Sequence, residues 1–359
     1  MSEISEGRIA EGEQRLEQLA AAGSAHALLQ WARLHLYGLA PQPDTVRALK
    51  HLDTAAETGL GEARYMRALA TATRSWQGGW WADLLSAAHA ADLPLAWRSL
   101  GLLFGRLPRN DAQAFAQYAL LRAARRGDGL SGALAQARTA RRGTDTSPEM
   151  PTVDPGTFTR LPEGLGNRHW QLAEGMLSED ECLAIRLLAA GQLTPSQAID
   201  PASGAGLRLP IRTSDDATLD PLIEDLALVL LRTRLCALAD TPPENAEPLA
   251  VLRYRPGQEY RLHRDTLPPS LLADPEQGRG GQRVATVVAY LNAVTEGGET
   301  AFPRRGLRIT PVPGAALAFR NLTGDGSIDE DSLHAGLPVL RGEKWIATFW
   351  LRQRPLRAF

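Results

Sequence analysis

The first 140 residues repeat themselves at a spacing near 35, and this periodicity restricts the fold more than any other property of the chain. Ala27, Ala63, Ala96 and Ala133 lie 36, 33 and 37 residues apart, each near the start of a stretch with apolar residues at helical spacing. The pairs Ala55-Ala56 and Ala123-Ala124 recur in matching positions, each followed by a glycine, Gly59 or Gly127. A single helical pair of this length cannot bury its own apolar face, so such units must stack on one another. An all-α helical-repeat domain over residues 1–145 is therefore expected. Its alanines and glycines serve close helix contact.

Residues 146–157 have the Pro- and Thr-rich composition of a linker. The pattern then changes, and residues 158–359 form the second expected domain. Ser178-Glu-Asp-Glu181 reads as a capping box opening a helix through about Ala190, and a second helix is expected over Leu219 to Ala239. From Ala250 onward short β-like runs alternate with Gly/Pro turns: Ala250–Tyr254, Tyr260–Asp265, Val284–Asn292, Ala315–Phe319 and Trp345–Leu351. Strands at that spacing suggest a sandwich or jelly roll with flanking helices, and so a multidomain, α then α+β chain.

Within the second domain, Tyr260-Arg-Leu-His263-Arg-Asp265 carries the chemistry. Side chains alternate along a strand, so His263 and Asp265 share a face while Arg264 points away. An imidazole and a carboxylate so placed are two ligands of a 2-His-1-carboxylate facial triad, which leaves metal positions open and suits non-haem Fe(II). The triad needs a distant histidine. Of His169, His263 and His334, the last fits, at the start of a strand-like run, whereas His169 beside Trp170 reads as structural. Ten residues on comes Lys344, one of only two lysines (with Lys50) among 39 basic residues. Alternation places Lys344, Ile346, Thr348 and Trp350 on one face, where a buried ammonium needs an anion and a dicarboxylate would supply one.

Two resemblances follow from these segments. Leu34-His35-Leu36-Tyr37-Gly38, then Asp44, Ala48 and Ala55-Ala56-Glu57-Thr58-Gly59, resembles the Sel1 subclass of tetratricopeptide-like repeats. Leu103-Phe104-Gly105 with Asp111, Ala114 and Ala123-Ala124 is a second copy, while the middle copy around Trp76, Trp80 and Trp81 departs from the pattern. Such repeats imply either a concave face for a protein or peptide or a scaffold. Residues 170–352 resemble the prolyl 4-hydroxylase branch of the 2-oxoglutarate/Fe(II) dioxygenases. The motifs come in family order: Leu177 to Cys182, Arg212-Thr-Ser214, Tyr254 to Tyr260, His263-Arg-Asp265, Gly281-Gln-Arg283, Tyr290-Leu-Asn292, Gly297 to Pro303, His334-Ala-Gly336 and Gly342-Glu-Lys344-Trp345.

That resemblance implies a double-stranded β-helix using Fe(II), 2-oxoglutarate and O2, with ascorbate as an additional requirement in relatives. It implies Fe(II) on His263, Asp265 and His334, and Lys344 on the distal carboxylate of 2-oxoglutarate. Thr300 and Tyr290 would bond the same carboxylate, Tyr254 would contact the cosubstrate, Trp350 would wall the pocket, and Arg283 would meet substrate at its mouth. Arg212, Thr213 and Ser214 read as braces, and the Pro/Gly-rich loop between Thr266 and Gln282 as a lid. The presence of Asp265 favours hydroxylation over halogenation. A prolyl residue in a protein or peptide is the expected substrate. The alternatives are a free amino acid or small metabolite, or a repeat-based interaction protein without catalysis.

Net charge is −2, which provides no field to recruit nucleic acid or an anionic membrane. Cys182 and Cys236 stand in no paired spacing, so neither a disulfide framework nor a zinc site is expected. The charged first twenty residues lack a signal-peptide core, and no long uncharged apolar window occurs. A cytoplasmic protein is the expectation.

Overall fold

The computed structural model describes residues 9–73, 79–142, 148–167, 169–199, 206–207 and 211–359. The chain divides into two compact units: residues 1–158 with 224–230 and 357–359, and residues 159–223 with 231–356.

Among the described residues, eight helices make up the N-terminal part of the first unit: α1 (Ile9–Ala21), α2 (Ala25–Leu36), α3 (Thr45–Glu57), α4 (Gly61–Ala72), α5 (Trp80–His89), α6 (Pro94–Gly105), α7 (Asn110–Arg125) and α8 (Gly129–Arg142). Each packs on the next in sequence, as an array of helical hairpins does. The recurring glycines end helices: Gly59 and Gly127 adopt φ of +90° and +92° just past α3 and α7, a conformation that favours residues without a Cβ. Small residues bring helices together. Ala27, Ala63 and Ala96 are buried, and a Cβ on Gly101 of α6 would stand 2.6 Å from Leu120 of α7. Asp44 caps α3 by accepting the Arg47 N–H at 2.9 Å. Trp80 is buried, and Trp81 packs against Trp80, Phe104 and Phe158. Trp76 lies outside the described residues.

A buried polar knot closes this unit. Arg98, 7% exposed, donates to Asp128 at 2.8 Å and to Asp225 at 2.7 Å. Beside it the Tyr65 hydroxyl shares a 2.8 Å hydrogen bond with Ser99 and accepts the Leu226 N–H at 3.0 Å. The sequence periodicity carries no sign that residues 224–230 belong here.

The second unit is built on antiparallel strands. Its first elements are β1 (Gly164–Asn167), β2 (Trp170–Ala173), α9 (Glu179–Ala190), β3 (Thr194–Pro195), β4 (Ala198–Ile199), β5 (Gly206–Leu207) and β6 (Asp215–Thr218). Ser178 and Glu181 form the expected capping box of α9. The next helix, α10, is Leu226–Leu238, of which residues 226–230 count with the first unit; it is shorter than expected because Pro221 holds Pro221–Ile223 in a separate 3-10 turn. Then follow β7 (Ala250–Tyr254), β8 (Tyr260–His263), α11 (Pro269–Ala273), β9 (Arg283–Tyr290), β10 (Glu296–Gly297), β11 (Thr300–Phe302), β12 (Leu307–Ile309), β13 (Ala316–Arg320), β14 (His334–Gly336), β15 (Val339–Arg341) and β16 (Lys344–Arg352).

Among the described residues, eight strands form one sheet in the order β1-β2-β13-β9-β16-β7-β6-β3, and four form another in the order β12-β11-β14-β8. Leu252, Tyr254, Val288, Tyr290, Leu317 and Ile346 of the large sheet bury themselves against Phe302 and Ile309 of the small one. Two facing antiparallel sheets with this core are a jelly roll, and the space between them holds the site. The short strands β10 to β12 and β15 escape a pattern reading because runs of two or three residues carry no periodicity, whereas the strand-like run expected at His334 is β14. Among the described residues no helix is long and apolar enough to cross a membrane.

Candidate active site

His263 closes β8, Asp265 follows two residues later, and His334 opens β14, which pairs with β8 so that the two histidines are register partners. One ligand atom from each of the three lies within 4.8 Å of the other two. The Asp265 carboxylate stands 3.5 Å from His263 Nε2 and 3.8 Å from His334 Nε2. Both rings are oriented from behind. His263 Nδ1 is 2.7 Å from the Arg261 carbonyl, and His334 Nδ1 is 2.9 Å from the Ser332 carbonyl. A carbonyl only accepts, so Nδ1 carries the hydrogen in each ring and Nε2 presents its lone pair to the common centre. The donor set and its open side fit a divalent iron held by a facial triad.

Aromatic rings fix the ligands further. Tyr260 stacks on His263 with centroids 3.4 Å apart and planes at 12°, while Phe302 and Phe319 flank His334 at 5.4 and 4.7 Å. Burial and the neighbouring His263 push the His334 pKa down to about 4. Asp265 is buried, which alone would raise its pKa, yet His334, His263 and the Thr286 hydroxyl hold it well below the usual carboxylate range.

The triad opens into a small cavity walled by Leu252, Val288, Ile346 and Trp350 and carrying Tyr254, Thr300 and Lys344. Lys344, Ile346, Thr348 and Trp350, alternate residues of β16, all line it. Lys344 is 2% exposed, and its Nζ lies 5.5 and 5.8 Å from the Tyr254 and Tyr290 ring centres. No hydrogen bond or ion pair to that ammonium occurs among the described residues, and burial pushes its pKa down to about 8. A buried cation without a counter-ion beside an iron-type triad is a seat for an anionic group. Tyr290 stands behind the wall and donates its hydroxyl to Thr300 Oγ1 at 2.9 Å, which leaves the Thr300 hydrogen free to point into the cavity.

Arg283 is placed differently from a free substrate contact. Its guanidinium pairs with both Glu247 oxygens at 2.8 and 2.7 Å and lies 4.1 Å from the centre of the Trp350 ring. Arg212 is a brace, bonded to the Gln197 carbonyl and Asp216 and lying 5.2 Å from the Tyr260 ring centre. The 266–282 loop is pinned at its base, because the Gln282 amide bonds both the N–H and the C=O of Leu267, at 2.6 and 2.9 Å. The contributions of Tyr260, Glu247, Thr286 and Asn321 are not evident from motif spacing. Only Thr286 leaves a signal, as the one hydroxyl in the apolar run Val284 to Ala289 and in phase with Val288 and Tyr290.

Comparison with known proteins agrees with this geometry. The 2OG-Fe(II) oxygenase superfamily profile matches residues 249–352, the segment that carries the triad and Lys344. "Prolyl 4-hydroxylase 1" of Arabidopsis thaliana is 35% identical over 192 residues, which cover 50% of this chain and 66% of that protein. "Probable prolyl 4-hydroxylase 6" of the same plant is 35% identical over 225 residues, covering 56% of this chain and 74% of its relative. Among solved structures, a viral collagen prolyl hydroxylase from Paramecium Bursaria Chlorella virus-1, in its 2OG complex, is 29% identical. That match has a TM-score of 0.40 and covers 51% of this chain and 96% of the viral one. The chain thus spans just under two thirds of one plant relative and more of the other, and it belongs to the prolyl 4-hydroxylase family of 2OG-Fe(II) oxygenases.

Proposed function

We propose that this protein is an Fe(II)- and 2-oxoglutarate-dependent hydroxylase that acts on a prolyl residue of a protein or peptide. The observation that carries the reading is the pairing of a preoriented His263/Asp265/His334 triad with a buried, counter-ion-free Lys344 in one cavity. Fe(II), with 2-oxoglutarate and O2, would supply the oxidising power to hydroxylate an unactivated C–H bond. The chain's own residues bind, orient and exclude. His263 Nε2, His334 Nε2 and an Asp265 oxygen hold the metal. Lys344 neutralises the distal carboxylate of the cosubstrate, and Thr300, its oxygen already engaged by Tyr290, donates its hydrogen to that same group. Tyr254 closes the cosubstrate end, and Leu252, Val288, Ile346 and Trp350 keep water from the reacting centre. Arg283, neutralised by Glu247, shapes the mouth by holding Trp350. The helical unit would present the protein or peptide substrate.

The test is anaerobic loading with Fe(II) and 2-oxoglutarate, then O2, with succinate measured in the presence of proline-rich peptides. Wild type should release succinate and add one oxygen atom to a peptide proline, and His263→Ala should do neither. Succinate release with a small prolyl metabolite but with no peptide would move the substrate assignment. Absence of iron binding would sink the enzyme reading altogether.

A further inference from the structure

Asp265 is the ligand with the most freedom, since a carboxylate can turn about its last bond and offer a metal one oxygen or two. Its Oδ2 accepts a 2.7 Å hydrogen bond from the Thr286 hydroxyl on β9. Thr286 Oγ1 in turn accepts from Asn321 Nδ2 at 3.0 Å. Thr286 and Asn321 are both fully buried, so no water competes for these bonds. The direction of the chain follows from its far end. A hydroxyl has one hydrogen; with the amide donating to it, that hydrogen goes to the carboxylate. The reversed amide would set a second acceptor against the hydroxyl and contest the same hydrogen.

Asn321 is itself fixed on two sides. Its N–H donates to the Val284 carbonyl and its C=O accepts the Asp329 N–H, both at 2.9 Å. Asp329 caps the 3-10 turn Glu330–Ser332, whose last carbonyl orients His334. A single buried asparagine therefore stands between the carboxylate ligand and the segment that aims the second histidine.

We infer that Thr286 and Asn321 form a positioning relay that holds Asp265 by Oδ2 and leaves Oδ1 as the oxygen it would present to a metal. The inference rests on the metal-site reading given above. Neither residue touches the cavity contents, so each acts through Asp265.

The experiment compares wild type with Thr286→Val, which keeps the shape and removes the hydroxyl, and Thr286→Ser, which keeps the hydroxyl. Each apoprotein is titrated anaerobically with Fe(II) alone. The iron-loaded protein is then titrated with 2-oxoglutarate, following the metal-to-ligand charge-transfer absorption. Removing an outer partner of a metal ligand typically weakens metal binding by about 10- to 100-fold. Thr286→Val should fall in that range and show a shifted absorption band, and Thr286→Ser should return both towards wild type. Thr286→Ala, also without a hydroxyl, provides the same comparison if valine is not accommodated in the strand. Unchanged iron affinity and spectrum in the hydroxyl-free variants, with wild type binding normally, would overturn the relay alone. A serine variant as impaired as valine would overturn it too. Failure of wild type to bind iron would overturn the site and the relay with it.

Discussion

Replacing Lys344 with methionine should make the ligand-free protein more stable and its cosubstrate binding worse. The ammonium is 2% exposed, and no carboxylate pairs with it among the described residues. Burial moves its pKa from 10.5 to about 8, partly opposed by Glu299. At about 1.4 kcal/mol per unit, that shift penalises the charged form by roughly 3 kcal/mol at neutral pH. Methionine fills a similar volume without the charge, so Lys344→Met should recover up to about 3 kcal/mol of unfolding free energy, less whatever repacking consumes. Against 2-oxoglutarate the sign reverses. Removing one partner of a buried charge pair costs about 2–5 kcal/mol, or roughly a 30-fold or greater rise in Kd. Denaturant unfolding of the ligand-free protein and anaerobic titration of the Fe(II)-loaded protein read the two effects separately. The same group sets a pH dependence. Its folded-state pKa lies below its unfolded value, so between about 8 and 10.5 the unfolded chain retains the proton that the folded chain has lost. Stability of the ligand-free protein should therefore rise with pH across that window, while 2-oxoglutarate binding weakens as pH passes about 8. A destabilised Lys344→Met with unchanged 2-oxoglutarate affinity would refute this account.

Tyr290→Phe removes the donor behind Thr300 and lets the threonine hydroxyl turn away from the cavity. The loss of one hydrogen bond, about 1 kcal/mol, should raise the 2-oxoglutarate KM about fivefold with iron affinity unchanged, as steady-state kinetics and metal titration would show. Arg98→Met strips the cation from the buried carboxylate of Asp225 and from Asp128. It should destabilise the helical unit by about 3–5 kcal/mol in thermal or denaturant unfolding, and a loss below 1 kcal/mol would count against the knot as a stabilising element.

That His263 and Asp265 share a side was legible in the sequence because alternation along a strand requires it without further information. Lys344 to Trp350 were legible for the same reason, since β16 is long enough to show its period. What stayed hidden is whatever depends on pairing between distant segments. Arg283 carries a charge in the sequence, but only the fold brings Glu247 to it, 36 residues away. The Thr286–Asn321 relay likewise joins residues 35 apart through neighbouring strands, with no motif marking either. In the first unit the 35-residue period announced stacked helices, while the membership of residues 224–230 has no periodic signature because a single short segment cannot repeat.

The membership of residues 224–230 and 357–359 in the first unit has a consequence for how the chain is made. Domains usually fold in order as they emerge from the ribosome, the N-terminal one first. Here Arg98 waits more than 120 residues for Asp225, and the Tyr37 ring waits for Phe359, whose centroid packs 5.3 Å away. The helical unit cannot complete its interior until the oxygenase strands have been synthesised. A fragment cut at residue 158 would expose a buried arginine lacking one carboxylate and an aromatic seat without its occupant. Such long-range closure delays folding, and it ties the integrity of the helical unit to the synthesis of the whole oxygenase segment.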